Sequence, residues 1–157
     1  MSSPSSHAGI LVPPPLIFAA GLIIGWLLHL WRPIFITAGS STARLVAAAA
    51  CIVIYLALFL GALRLFRRAG TSVIPTRPTT ALVTGGVYRF TRNPLYVSMV
   101  ALYVGIALLI DSWWPIVLLP VVVLVIDRAV IAREERYLAS VFPAEYAAYR
   151  ARVRRWL

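Results

Sequence analysis

Residues 45–63 run without a single charged side chain and are closed on either side by Arg44 and Arg64. Wound as a helix rising about 1.5 Å per residue, such a run crosses the ~30 Å hydrocarbon core of a bilayer. Three other apolar runs accompany it. Residues 16–31, which extend back to Ile10, stop at Arg32-Pro33; residues 95–110 and 116–126 are separated by a short polar break. The whole chain follows suit, being 61% apolar and 13% charged, where a soluble domain carries about 25% charged residues. Its net charge is +10, with five acidic residues against 15 basic ones, every one of them arginine. A nucleic-acid-binding domain would place arginines within its elements, whereas here they border the apolar runs. Four spans of about 20 residues use roughly half the chain, so any chemistry sits in or beside the helices rather than in a separate soluble nucleotide-binding domain.

The expected fold is therefore an all-α integral membrane protein with about four transmembrane helices and a C-terminal amphipathic helix. Residues 1–15 form a Ser- and Pro-rich lead-in ending in Pro13-Pro14-Pro15, residues 16–63 the first two spans, and residues 64–157 the region that carries the chemistry. Asp111-Ser112 makes the break between the third and fourth runs. The following Trp113-Trp114-Pro115 supplies an aromatic interface pair and a proline suited to a first helical turn, so these two helices form a hairpin. Pro75, Pro78, Gly70, Gly85 and Gly86 make residues 64–92 an ordered surface loop. That loop holds six arginines and the segment from Arg128 to Arg155 holds seven. By the positive-inside rule both face the cytoplasm, as do the two termini. Cys51 is the single cysteine and packs as a small hydrophobe. His29 serves as an interfacial anchor, and with only His7 besides it no His/Cys metal site is expected. The first twelve residues lack the basic start of a cleaved signal peptide.

Two polar clusters meet on the arginine-rich face. One is Thr84-Gly85-Gly86-Val87-Tyr88-Arg89-Phe90-Thr91-Arg92-Asn93-Pro94-Leu95-Tyr96. Pro94 suits the first turn of the third span and Asn93 its N-cap. A helix N-terminus beside arginines is a natural seat for a carboxylate or phosphate. The other is Arg133-Glu134-Glu135-Arg136-Tyr137. Helical ion pairs form three or four residues apart, and neither glutamate has a basic residue at those positions. Each must face water or find a partner on another segment. Neighbouring helical residues point about 100° apart, so the two glutamates do not serve one small group equally. Asp127, seven residues before Glu134, is expected on the face of Glu134. Beyond Pro143, residues 144–157 read as an amphipathic basic helix with Tyr146, Tyr149, Val153 and Trp156 on one stripe, suited to lie on the membrane as an anchor and lid.

The order Gly86-x-Tyr88-Arg89-x-x-Arg92-Asn93-Pro94-Leu95-Tyr96, then Glu134-Glu135-Arg136-x-Leu138, then Glu145-Tyr146-x-x-Tyr149, resembles the integral-membrane methyltransferases. That group includes the isoprenylcysteine carboxyl methyltransferases and the phospholipid N-methyltransferases. Arg68-Ala69-Gly70-Thr71-Ser72-Val73-x-Pro75 resembles bacterial members, which favours a bacterial inner membrane over the endoplasmic reticulum. Prenylcysteine enzymes commonly have histidine at the position of Asn93, so N-P-x-Y is closer to the lipid-amine enzymes.

The resemblance implies S-adenosylmethionine as methyl donor, S-adenosylhomocysteine as product, and a lipophilic acceptor entering from the bilayer, with neither nucleic acid nor metal involved. It places Arg92, Asn93 and Tyr96 at the catalytic centre. It assigns Gly85, Gly86, Tyr88, Arg89, Arg92, Asn93, Pro94, Tyr96, Glu134 and Glu135 to the cofactor pocket. Within that set, a glutamate suits the donor's ammonium, and Arg92 or Arg89 its carboxylate. Sterol and steroid reductases share a similar C-terminal arrangement but use NADPH, an anionic dinucleotide that gains nothing from adjacent glutamates. A non-catalytic lipid-binding protein on the same scaffold is the third reading.

Overall fold

The computed structural model describes residues 12–37, 39, 41–72 and 79–157. Among these the chain is helical, with no strand: α1 (Pro14–Trp31), α2 (Thr42–Arg68), a 3-10 turn (Gly86–Arg89), α3 (Pro94–Leu109), α4 (Trp113–Val125), a π-helical segment (Ile126–Ile131), α5 (Ala132–Val141) and α6 (Pro143–Arg152). In lipid a backbone must satisfy its own hydrogen bonds, which a helix does within one segment. Three helices are long and apolar enough to cross a membrane: Pro14–Trp31, Thr42–Arg68 and the continuous Trp113–Val141. α3 is equally apolar but has 16 residues, a rise of about 24 Å. Large apolar side chains such as Ile23, Val53, Ile54, Val117 and Val121 point outward, the arrangement that suits a hydrocarbon solvent.

The inner faces are made of small and aromatic residues. α1 lies on α4, and its backbone approaches closely at two glycines. A Cβ on Gly21 would lie 2.5 Å from Val122 Cγ2, and one on Gly25 2.8 Å from the ring of Pro115. α2 lies along α3, where a Cβ on Gly105 would meet Cys51 Cβ at 3.3 Å; Cys51 thus packs as the small hydrophobe expected. The Tyr103 hydroxyl donates to the Pro115 carbonyl (3.0 Å) within a core of Phe18, Tyr96, Val122, Ile126 and Val130.

The α3–α4 connection is built as a clasp. Asp111 adopts a left-handed φ of 53°, and the Ser112 hydroxyl caps α4 by accepting from the Trp114 amide at 3.3 Å. The Asp111 carboxylate accepts from the amides of Ile36 (3.1 Å) and Thr37 (3.0 Å) and pairs with Arg44 (3.5 Å). Desolvation tends to raise its pKa, but the Thr37 amide and the Arg44 charge prevail and hold the carboxyl below the usual carboxylate range.

Several expectations change. α2 continues to Arg68, so Arg64, Arg67 and Arg68 are helical rather than part of the loop; arginines are good helix formers, and a charge need not end a helix that leaves the bilayer. The lead-in ends earlier than expected because Pro14 starts α1 as a first-turn proline. The rest of it to residue 11, with His7 and Ile10, and Val73, Pro75, Arg77 and Pro78 of the loop, lies outside the described residues. The C-terminal helix ends at Arg152, and residues 153–157 are not helical. Tyr146 and Tyr149 are buried in the protein rather than laid on a membrane. The π segment adds one residue to a turn, so Asp127 shares a face with Glu135, not with Glu134.

Candidate functional site

A cavity of about 440 Å³ opens where the N-terminus of α3, the loop before the 3-10 turn, α5 and α6 converge. Its apolar walls include Phe59, Phe66, Leu82, Leu95 and Met99, and its polar lining includes Tyr88, Arg92, Asn93, Tyr96, Glu134 and Glu135. The two glutamates are adjacent on α5 and, pointing apart, live in different surroundings. The Tyr96 hydroxyl, one turn into α3, donates to Glu134 Oε1 at 2.8 Å. Glu134 forms no ion pair among the described residues. Glu135 is neutralised on two sides: Arg92 Nη2 lies 3.1 Å from Oε1, and Arg155 donates through Nε to Oε1 (3.2 Å) and through Nη2 to Oε2 (2.5 Å).

Arg92 is the unusual member. Its side chain is 9% exposed, and beyond the contact to Glu135 its Nε and Nη1 are buried without a hydrogen-bond partner among the described residues. Leaving a buried donor unpaired costs about 1–3 kcal/mol, more for a charged group, so such atoms on a residue that lines a cavity mark a place for an acceptor.

The C-terminal residues close the structure around this pair. The Arg92 amide donates to the Arg154 carbonyl (2.9 Å); the Thr91 hydroxyl (3.1 Å) and Asn93 Nδ2 (2.8 Å) donate to the Arg155 carbonyl. Arg155 Nη1 also holds both oxygens of Asp127 (3.2 and 3.1 Å), and Trp156 Nε1 donates to Asp127 Oδ1 at 3.0 Å. The hydrogen bond to Glu135 and the two carboxylate charges raise the Arg155 pKa against the opposing effect of burial. Nearby, the Tyr149 hydroxyl donates to the Tyr88 carbonyl (2.7 Å). Burial, then the charge of Glu135, pushes the Tyr146 hydroxyl up to about 12. Burial raises Tyr88 and Tyr149 as well, with Glu134 adding to the first. These phenols remain protonated near neutrality and act as hydrogen-bonding groups.

Of the residues singled out in the sequence, Tyr88, Arg92, Asn93, Tyr96, Glu134 and Glu135 line the cavity. Gly85, Gly86, Arg89 and Pro94 are not on its wall: the first three are exposed outside it, and Pro94 is buried in α3. Gly86 has a structural reason for being glycine, a φ of 56° with Leu65 Cδ1 2.8 Å from where a Cβ would sit. Asn93 occupies the N-cap position, but its side chain makes no capping bond because its amide reaches Arg155 instead. The N-terminus of α3 also offers few free amides, since those of Tyr96 and Val97 both bond to the Asn93 carbonyl at 3.0 Å. Tyr137, Tyr146 and Tyr149 stood out in the sequence without being assigned to the cavity they line, and the clamp on Glu135 by Arg155 was not foreseen. Tyr146 and Tyr149 carried a signal in their helical stripe, but the stripe gave no sign of which solvent it faces.

Residues 43–145 match the phospholipid methyltransferase family. The chain belongs to that family. The match runs from α2 to the start of α6, so it includes Arg92, Tyr96 and both glutamates but not Arg155. The matched region includes two of the helices that are long and apolar enough to cross a membrane, Thr42–Arg68 (but for its first residue) and Trp113–Val141. The chain is also similar to the cobalt-zinc-cadmium resistance protein CzcN of Cupriavidus metallidurans, with 38% identity over 76 residues, 47% of this chain and 35% of that protein. It thus aligns with about a third of the length of that relative. No solved structure matches the chain.

Proposed function

We propose that this phospholipid methyltransferase family member transfers the methyl group of S-adenosylmethionine to a lipophilic acceptor within the membrane, with Arg92 and Glu134 holding the two charged ends of the donor's amino-acid part. The observation that carries the reading is the pairing, in one cavity, of a guanidinium with unpartnered buried donors and a carboxylate with no ion-pair partner among the described residues. The donor has a carboxylate and an ammonium on one carbon, so the residues fit it. Arg92 receives the carboxylate through Nε and Nη1. Glu134, oriented by the Tyr96 hydroxyl, receives the ammonium, while Glu135 is already balanced by Arg92 and Arg155.

When bound, the donor supplies an electrophilic methyl on a sulfonium sulfur. The chain's contribution is alignment and exclusion of water, which suit an in-line displacement. Phe59, Phe66, Leu95 and Met99 make the dry, apolar wall. Asn93 contributes by fixing the Arg155 carbonyl rather than by touching the reacting atoms.

In this reading α1, α2, α3 and Trp113–Val141 make four crossings, with α3 and α4 as an antiparallel hairpin and the cavity at the cytoplasmic face. The pairings Tyr103–Pro115 and Tyr96–Glu134 support the hairpin, because contacts move forward along α3 as they move back along the partner helix. The arginine distribution supports cytoplasmic termini, and the resemblance of residues 68–75 to bacterial members supports a bacterial inner membrane. The test is to titrate detergent-purified protein with S-adenosylhomocysteine and NADPH, and then incubate it with labelled S-adenosylmethionine and a lipid extract. Binding of the homocysteine compound with label entering lipid is the expected result. Binding of NADPH alone, or of neither compound, refutes the proposal.

A further inference from the structure

Two guanidinium groups compete for Glu135. Arg155 takes both carboxylate oxygens in a two-pronged contact, whereas Arg92 reaches only Oε1, through Nη2. Arg155 is itself held from two directions. Asp127 grips its Nη1, and its carbonyl is fixed by Thr91 and Asn93, the two residues that flank Arg92. The backbone bond from Arg92 to the Arg154 carbonyl completes a closed loop of contacts. Through its main chain this C-terminal strap sets where Arg92 begins, and through its side chain it sets where Glu135 points.

A buried guanidinium with unsatisfied donors draws any carboxylate that can turn toward it. With both oxygens engaged by Arg155, Glu135 cannot turn its second oxygen onto Arg92 Nε or Nη1. Resting on the reading of Arg92 as the carboxylate-binding group, we infer that Arg155 is a positioning residue, which restrains Glu135 so that Arg92 keeps two donors available for a ligand carboxylate. Arg155 is absent from the cavity wall and touches no ligand in this role. Its effect passes entirely through Glu135, and that makes it separable from simple anchoring of the chain end.

The experiment is calorimetric titration of S-adenosylhomocysteine into the full chain in detergent, comparing wild type, Arg155→Ala, Glu135→Gln and the double variant. Removing the restraint lets Glu135 satisfy Arg92 internally, so Arg155→Ala is expected to weaken binding about tenfold, the effect of roughly one charge-assisted hydrogen bond. Glu135→Gln removes the competing charge and is expected to restore the double variant to within about threefold of wild type. Ligand-free thermal unfolding and size-exclusion profiles identify variants that fail to fold. Arg155→Lys, which keeps the charge but not the two-pronged contact, then carries the same comparison with and without Glu135→Gln. Wild-type protein that does not bind S-adenosylhomocysteine refutes the reading of Arg92. Wild-type binding with an unaffected Arg155 variant, or a weakened variant that Glu135→Gln does not rescue, overturns the positioning role alone.

Discussion

Replacing Arg92 by alanine tests the proposed site most directly, because the structure separates its ligand-binding role from its structural one. The substitution removes the ion pair between Arg92 and Glu135, yet both prongs of Arg155 still hold that carboxylate, so no buried charge is stranded. The Arg92 Nε and Nη1 atoms are without partners among the described residues, and their bonds to a ligand carboxylate are the quantity at stake. A hydrogen bond to a charged group is worth about 1.5–3 kcal/mol. Two such bonds from one group are not additive, so binding is expected to weaken by about 2–3 kcal/mol, or about 30- to 140-fold in Kd. The assay is calorimetric titration with S-adenosylhomocysteine and, in parallel, with methylthioadenosine, which has the nucleoside and sulfur but neither carboxylate nor ammonium. Arg92→Ala should weaken the first by that factor and leave the second within about twofold. An equal weakening for both ligands would mean that Arg92 shapes the pocket rather than binding the carboxylate, and no weakening for either would falsify the assignment outright.

Glu134→Gln is expected to weaken S-adenosylhomocysteine binding about tenfold, and Tyr96→Phe, which removes one hydrogen bond to Glu134, about threefold to fivefold; Glu135→Gln should not weaken it, and titration of the three variants distinguishes these outcomes. Gly86→Ala forces a side chain into a left-handed conformation and should cost about 1–2 kcal/mol, read from thermal unfolding in detergent. The Asp111 pKa is lowered in the folded state, so its contribution is present above the unfolded value and disappears as pH falls through the folded one. Thermal stability should accordingly fall as pH drops below about 4, and Asp111→Asn should flatten that part of the profile; an unchanged slope would show that the clasp does not depend on the charge.

The helices were legible because their signals are long. The charge-free run before Arg64, the Pro94 start of α3 and the Asp111-Ser112 break are local physics, and α2, α3 and α4 follow them. The candidate site was legible by composition but not by partnership. Spacing alone excluded helical ion pairs for Glu134 and Glu135 and left each to water or to another segment, and both find partners on other segments. Nothing local said that Tyr96 and Arg155 would meet them. The end of the C-terminal helix was hidden for a related reason. The stripe of Tyr146, Tyr149, Val153 and Trp156 keeps its period past Arg152, but the contacts of Arg155 and Trp156 with Asp127 favour a non-helical course that a pattern of apolar residues does not encode. The helical phase between Asp127 and Glu134 was equally hidden, because a single π turn leaves no mark in hydrophobic period.

That wide turn at Ile126–Ile131 has an electrical consequence. In an uninterrupted α-helix Asp127 would stand above Glu134, and an arginine gripping Asp127 would reach Glu134 next, cancelling the carboxylate that here has no cationic partner among the described residues. The extra residue rotates the lower half of the helix by about 100°, so the cation goes to Glu135 instead. One residue of helical slack thus selects which of two identical side chains is clamped by a cation and which is left to the Tyr96 hydroxyl beside the cavity. Which carboxylate faces the cavity without a cation among the described residues is written in the pitch of a helix rather than in the choice of its amino acids.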